Sequence, residues 1–222
     1  MNSWITNWNK IKIRVKQIIK KQPGKDAESQ WTKCSCQEII YKEDLQKNLH
    51  VCPKCELHHK ISCRDRFNIT FDEEIYKILP TPQPPDDPLK FVDRRKYTER
   101  LKEARKLTNQ DDAIMIAKGK IKGIDVVCGS QNFKFMGGSV GTTSGEAFIY
   151  GVQYAIDNNC SFIFFTSTGG QKMQEGALSL MQMPRTVIAV NELKKNKIPY
   201  IVVLTNPSTG GVTASFAMLG DI

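Results

Sequence analysis

From residue 112 onward, apolar runs of strand length alternate with glycine pairs and helix-like segments. AIMIAKGKIKGIDVVCGSQNF reads as two strands around a turn near Lys122-Gly123. FMGGSVG follows as a glycine loop, then a helix over 143–157 and a buried strand over 160–167. After Gly169-Gly170 the pattern predicts a long helix to about Lys195, kinked by Pro184 inside it. KIPYIVVLTNP is a further buried strand, closed by STGGVTASFAMLGDI. Strand, glycine pair and helix recur three times, which predicts an α/β fold with glycines at the strand-to-helix junctions.

The texture upstream is different. Residues 1–30 read as a basic arm, with Lys10, Lys12, Arg14, Lys16, Lys20, Lys21 and Lys25 and no acid before Asp26. Such an arm is either a solvated, partly disordered face or a surface for nucleic acid or a partner. Residues 31–60 hold the clustered cysteines and all three histidines. Residues 61–90 read as a connector, with a short amphipathic piece, FDEEIYKIL, and a stiff spacer, TPQPPDDP, carrying four prolines in eight residues. The main domain is expected over 91–222. It opens with a charged helix, FVDRRKYTERLKEARKLTNQ, whose apolar spots are Tyr97, Leu101 and Leu107.

Length and charge narrow the classes. The 222 residues allow one sizeable core and a small module. No apolar run approaches the ~18 residues of a membrane span, and the start lacks the pattern of a secretory signal. A cytosolic protein is expected, so its seven cysteines read as metal ligands or buried thiols. The net charge of +9 suits phosphate-bearing partners.

The cysteines carry the first chemical signal. CPKC sets Cys52 and Cys55 two residues apart, as a tetrahedral zinc knuckle requires, and fifteen residues separate Cys36 from Cys52. The other pair, Cys34 and Cys36, is C-x-C rather than C-x-x-C. A structural four-cysteine zinc site is expected. The open alternatives are a mixed site using His50, His58 or His59, and no stable metal. Cys63, Cys128 and Cys160 read as buried thiols.

The glycine pairs carry the second. There is no phosphate-binding P-loop, no dinucleotide glycine fingerprint, and no histidine beyond His59 for a nucleophile to use. Glycines at a helix start expose N–H groups that suit negative charge. Two such loops converging form an oxyanion hole, fit for a reaction that develops charge on a thioester oxygen. The plainer reading is that they only make tight turns.

At these residues the sequence closely resembles the beta-subunit family of bacterial and plastid acetyl-CoA carboxylase carboxyltransferases. The matching stretches are WTKC, NLHVCPKC, FVDRRKY, FKFMGGSVG, TSTGGQKMQEGALSLMQM and PYIVVLTNPSTGGVTASFAMLGD. The resemblance implies a zinc ribbon ahead of a crotonase-like, spirally wound α/β domain. It implies transfer of a carboxyl group from carboxybiotin on a carrier protein to acetyl-CoA, giving malonyl-CoA for fatty-acid synthesis. It implies an alpha subunit as partner in an α2β2 arrangement. It also implies the biotin carboxyl carrier protein and biotin carboxylase, in a complex that binds ATP, in the bacterial cytoplasm rather than the plastid stroma. By the same analogy Gly169, Gly170, Gly210 and Gly211 are backbone oxyanion donors, and Gly137 and Gly138 line the substrate site. Lys172 is either a substrate contact or, like Glu175, a solvated first-turn residue. Against the family pattern the chain is expected to be C-terminally truncated. The alternatives are a zinc-ribbon nucleic-acid-binding protein and another crotonase-type acyl-CoA enzyme.

Overall fold

The computed structural model describes residues 30–222, so all of the expected basic arm except Gln30 lies outside the described residues. The chain forms two compact units, one ending at His59 and one over Lys60–Ile222. Among the described residues no helix is long and apolar enough to cross a membrane.

The first unit is a ribbon. β1 (Trp31–Lys33) pairs antiparallel with β2 (Ile39–Tyr41), and α1 (Lys42–Lys47) follows. The turn between the strands is closed by the Cys34 N–H, which donates to the Glu38 carbonyl at 2.9 Å. Among the described residues its buried core is Cys34, Cys52, Ile40 and Leu45. Two aliphatic side chains are too few to hold residues 30–59 folded by packing alone.

The second unit is built on one sheet of order β3-β4-β5-β6-β7. The strands are β3 (Tyr76–Ile78), β4 (Ile114–Ile121), β5 (Ile124–Gln131), β6 (Ser161–Thr168) and β7 (Tyr200–Ser208). The β3–β4 and β4–β5 pairs are antiparallel, whereas β5–β6 and β6–β7 are parallel. The hairpin is where the sequence pattern puts it. Lys122 and Gly123 both take positive φ, 50° and 78°, the geometry that matches the strand twist in a two-residue turn. The Asp72 carboxylate accepts from both of their N–H groups at 2.8 Å.

Parallel strands need crossovers, and helices supply them. α4 (Thr142–Asp157) links β5 to β6; α5 (Gly176–Leu180) and α6 (Gln182–Lys195) link β6 to β7. α4 buries Ala147, Phe148, Gly151, Val152 and Ala155, one face at helical spacing. Phe148 meets Phe162 and Phe164 of β6 edge-on, and this cluster is the main core. The opposite sheet face packs under α2 (Cys63–Thr70), through Phe67, Phe71, Ala117 and Cys128.

Four expectations change. Residues 61–90 are more than a connector: they supply α2 and β3, because Phe67, Phe71 and Tyr76 form an aromatic cluster against the sheet. The long helix after Gly170 is two helices that part at Met181. Pro184 is therefore the third residue of α6, where it lacks only an N–H that has no helical partner. In α3 (Tyr97–Thr108), Tyr97, Leu101 and Ala104 are buried while Leu107 is exposed. β7 is not buried: it lies at the edge of the described sheet, with Val203 and Leu204 exposed.

Candidate active site and zinc centre

Three glycine loops follow the three parallel strands, the end of an open α/β sheet at which ligand crevices form. The first turns at Met136–Gly138, where Gly138 has φ 64°. A Cβ there would lie 1.9 Å from the Ser167 carbonyl oxygen, so no side chain fits. This loop and the one after β6 zip together. Gly169 donates to Gly137 O, Val140 N to Gly170 O and Lys172 N to Val140 O, each at 2.9 Å.

The third loop is seated by Thr209, whose N–H and hydroxyl both donate to Thr168 O at 3.2 Å. Beneath it the hydroxyls of Thr166 and Ser208 meet at 2.5 Å, and Ser208 donates to Thr205 O at 2.6 Å. The result sets Gly210 against the Gly169-Gly170 pair. A Cβ on Gly210 would lie 3.2 Å from Gly170 Cα and 3.3 Å from Gly169 O. The two glycine pairs named in the sequence as a possible hole therefore do converge.

Their N–H groups differ. Gly169 donates to Gly137 O at 2.9 Å, and Gly170 to Thr168 Oγ1 at 2.9 Å. Gly138 donates to Phe135 O at 2.8 Å. Gly210 and Gly211 find no acceptor among the described residues, and they open a helical turn closed by Ala214 N to Gly210 O at 3.1 Å. An N–H pair at a turn's start is what an oxyanion binds. Gly169 and Gly170 supply the facing wall.

Gly137 and Gly169 also line an open groove of about 850 Å³. Its other sides come from Arg100 and Ala104 of α3, from Lys134, and from Gln171. The volume is in the range of small-molecule sites.

Lys172 and Glu175, expected as solvated or substrate-facing, are buried instead at 1% and 2% exposure. Lys172 Nζ lies 2.8 Å from Asp112 Oδ2 and 3.8 Å from Glu175 Oε1. Glu175 Oε1 accepts from the Tyr97 hydroxyl at 2.7 Å, and Oε2 from the Thr142 N–H at 2.6 Å. Burial, and then the charge of Glu175, hold the Tyr97 phenol pKa far above its ordinary value, so it stays a donor. Asp112 and Tyr97 were missed in the sequence because they lie 60 and 78 positions from their partners.

In the ribbon, Cys34, Cys36, Cys52 and Cys55 bring their sulfurs within 4.8 Å of one another. The Cys34–Cys55 and Cys36–Cys52 separations are 3.6 and 3.8 Å. Tetrahedral zinc with Zn–S bonds of about 2.3 Å needs edges of about 3.8 Å, so the four thiols fit the ion. The C-x-C spacing closes as the C-x-x-C one does. Gln37 and Glu56, each following the second cysteine of its pair, take φ 72° and 59°. Among the described residues no histidine joins this cluster.

Comparisons with known proteins agree with this architecture. The acetyl-CoA carboxylase zinc finger domain family matches residues 31–55, and the carboxyl transferase domain family matches 87–221. The acetyl-coenzyme A carboxylase carboxyl transferase subunit beta of Pelagibacter ubique is 49% identical over 222 residues, spanning 99% of this chain and 72% of that protein. The Methylocella silvestris subunit is 47% identical, over 99% of this chain and 75% of its own length. Among solved structures, transcarboxylase 12S with methylmalonyl-coenzyme A and methylmalonic acid bound gives a TM-score of 0.57 at 26% identity, over 73% of this chain and 28% of that one. A Pseudomonas malonate decarboxylase MdcD–MdcE heterodimer gives 0.51 at 20%, over 69% and 57%, and shows the shared fold alone. The fold is the crotonase-like one of these carboxyltransferases, preceded by a zinc ribbon. The chain belongs to the acetyl-CoA carboxylase carboxyl transferase subunit beta family.

Proposed function

We propose that this chain is the beta subunit of the carboxyltransferase component of acetyl-CoA carboxylase, moving a carboxyl group onto acetyl-CoA to give malonyl-CoA. The observation that carries this reading is the pair of unengaged N–H groups on Gly210 and Gly211, set opposite Gly169-Gly170.

Carboxybiotin on a carrier protein supplies the carboxyl group. The chain's own residues hold the acceptor. When the carboxyl group leaves the biotin ureido nitrogen as CO2, the biotin ureido oxyanion so left would take the proton lost from the acetyl carbon, and that carbon would then bond to the CO2; between those two events the negative charge lies on the thioester oxygen. The Gly210 and Gly211 N–H groups receive that charge, and each such donor is worth roughly 10²–10³ in rate. Gly169 and Gly170 form the opposite wall. Lys134 brings positive charge to the groove, which suits the phosphates of coenzyme A. No histidine follows His59, so the second unit contributes orientation and electrostatics rather than an imidazole base. Cys34, Cys36, Cys52 and Cys55 hold zinc in a closed four-ligand site, a structural role. The partners are the carboxyltransferase alpha subunit, the biotin carboxyl carrier protein and biotin carboxylase, in the bacterial cytoplasm.

The test is malonyl-CoA-dependent carboxylation of biotin by this chain in complex with an alpha subunit. Turnover that Gly210→Ala abolishes supports the reading. A complex that assembles, binds zinc and shows no turnover overturns it.

A further inference from the structure

We propose that Tyr97, Asp112, Lys172 and Glu175 are positioning residues that clamp the Gly169–Gln171 loop to the wall of the groove, and so set the distance across the two glycine pairs. The inference rests on the carboxyl-transfer reading. None of the four side chains lines the groove, so none is placed to touch substrate.

The clamp is fully closed. The side chains of Lys172, Asp112 and Glu175 are 0%, 4% and 2% exposed. Lys172 lies two residues after Gly170 in the chain, and Glu175 five residues after it. Asp112 Oδ1 accepts from the Ala113 N–H at 2.6 Å and from the Ser144 hydroxyl. Both oxygens of Glu175 are engaged, one by Tyr97 and one by Thr142. Thr142 is the first residue of a sixteen-residue helix, whose N-terminus favours a carboxylate. Gly141 is shaped around this carboxylate: a Cβ there would lie 2.3 Å from Glu175 Oε1.

Buried ion networks are poor sources of stability, since apolar side chains of the same volume often do as well. Their geometry, by contrast, is demanding. Here the directions converge on one segment. The Lys172 backbone N–H is held by Val140 O at 2.9 Å and Ser179 Oγ at 2.8 Å, while its side chain is held by Asp112. Tyr97 begins α3, the helix that gives Arg100 and Ala104 to the groove. The Tyr97–Glu175 bond thus joins the groove wall to the loop that faces Gly210. A shift of about 1 Å in such a loop is enough to lose about 10²-fold in rate.

The test uses the full complex and reads kcat and KM separately, with unfolding temperature alongside. Tyr97→Phe keeps the ring and its packing and removes only the hydroxyl. It is expected to lower kcat about tenfold with KM within about twofold, the signature of an interaction felt in the transition state alone. Phe67→Leu, in the separate aromatic cluster under α2, serves as the stability control. It is expected to lower the unfolding temperature at least as much and leave kcat unchanged. Glu175→Ala combined with Tyr97→Phe should lose no more than Glu175→Ala alone, because the Tyr97 hydroxyl acts through the Glu175 carboxylate that the first change already removes. A kcat for Tyr97→Phe equal to that of Phe67→Leu, in an active wild-type complex, overturns the clamp. An inactive wild-type complex overturns the carboxyl-transfer reading and the clamp with it.

Discussion

Gly169-Gly170 and Gly210-Gly211 are near twins in sequence. Each pair follows a strand of the parallel part of the sheet, and each is preceded by Ser, Thr and small residues. Their backbones behave differently. The first pair is stitched into its surroundings, with its N–H groups held by Gly137 O and Thr168 Oγ1. The second pair opens a turn and leaves its N–H groups unengaged among the described residues. A glycine pair after a strand is therefore a place where a hole can form, while the hydrogen-bond inventory decides which pair is donor and which is wall.

The largest effect is expected at Gly210. An alanine there must adopt φ near 65° and push its Cβ to 3.2 Å from Gly170 Cα, which is backbone and cannot swing aside. Gly210→Ala should cost at least about 10²-fold in kcat, read in the biotin carboxylation assay. Gly170→Ala comes next. Its Cβ meets nothing nearer than 3.6 Å, but φ of 125° is closed to L side chains. The loss should appear as about 1–3 kcal/mol of stability in denaturant unfolding, with a smaller drop in rate. Thr168→Val removes the acceptor of the Gly170 N–H and strands a buried donor, at about 1–2 kcal/mol. If that variant turned over faster than wild type, Gly170 would be a donor held in check, and the division between the loops would fail. Gly169→Ala should be nearly silent, within about twofold in rate, because its Cβ meets only Gly137 O at 3.8 Å and its N–H is already used. A tenfold loss there would reverse the ranking of the two pairs.

Local patterns were legible and distant ones were not. The hairpin at Lys122-Gly123 follows from alternation and a turn signal, both contained in a few residues. The convergence of the glycine loops follows from their repeated place after strands. The zinc cluster follows from spacing, even with the shortened Cys34–Cys36 step. Lys172 and Glu175 read as solvated or substrate-facing because nothing nearby announces their partners. Asp112 and Tyr97 reach them only after the sheet and α3 are in place. β7 misled in the opposite sense. An apolar run records what one strand can bury, not whether a neighbour stands on both sides of it, and Val203 and Leu204 are exposed. The break at Met181 is a similar case. Helical periodicity continues through it, and only the first-turn position of Pro184 shows where the second helix begins.

The ribbon's small core has a consequence for how the protein responds to its surroundings. Ordering each residue costs about 1–2 kcal/mol of backbone entropy, and Ile40 and Leu45 cannot offset that for some thirty residues. For such a module, metal affinity and folding free energy are one quantity. The ribbon is then expected to act as a gauge of zinc supply. Its folded fraction should rise with free zinc along a binding curve, read by zinc titration against a chelator, whereas the unit over Lys60–Ile222, built on aromatic packing and holding none of the four clustered cysteines, should not respond.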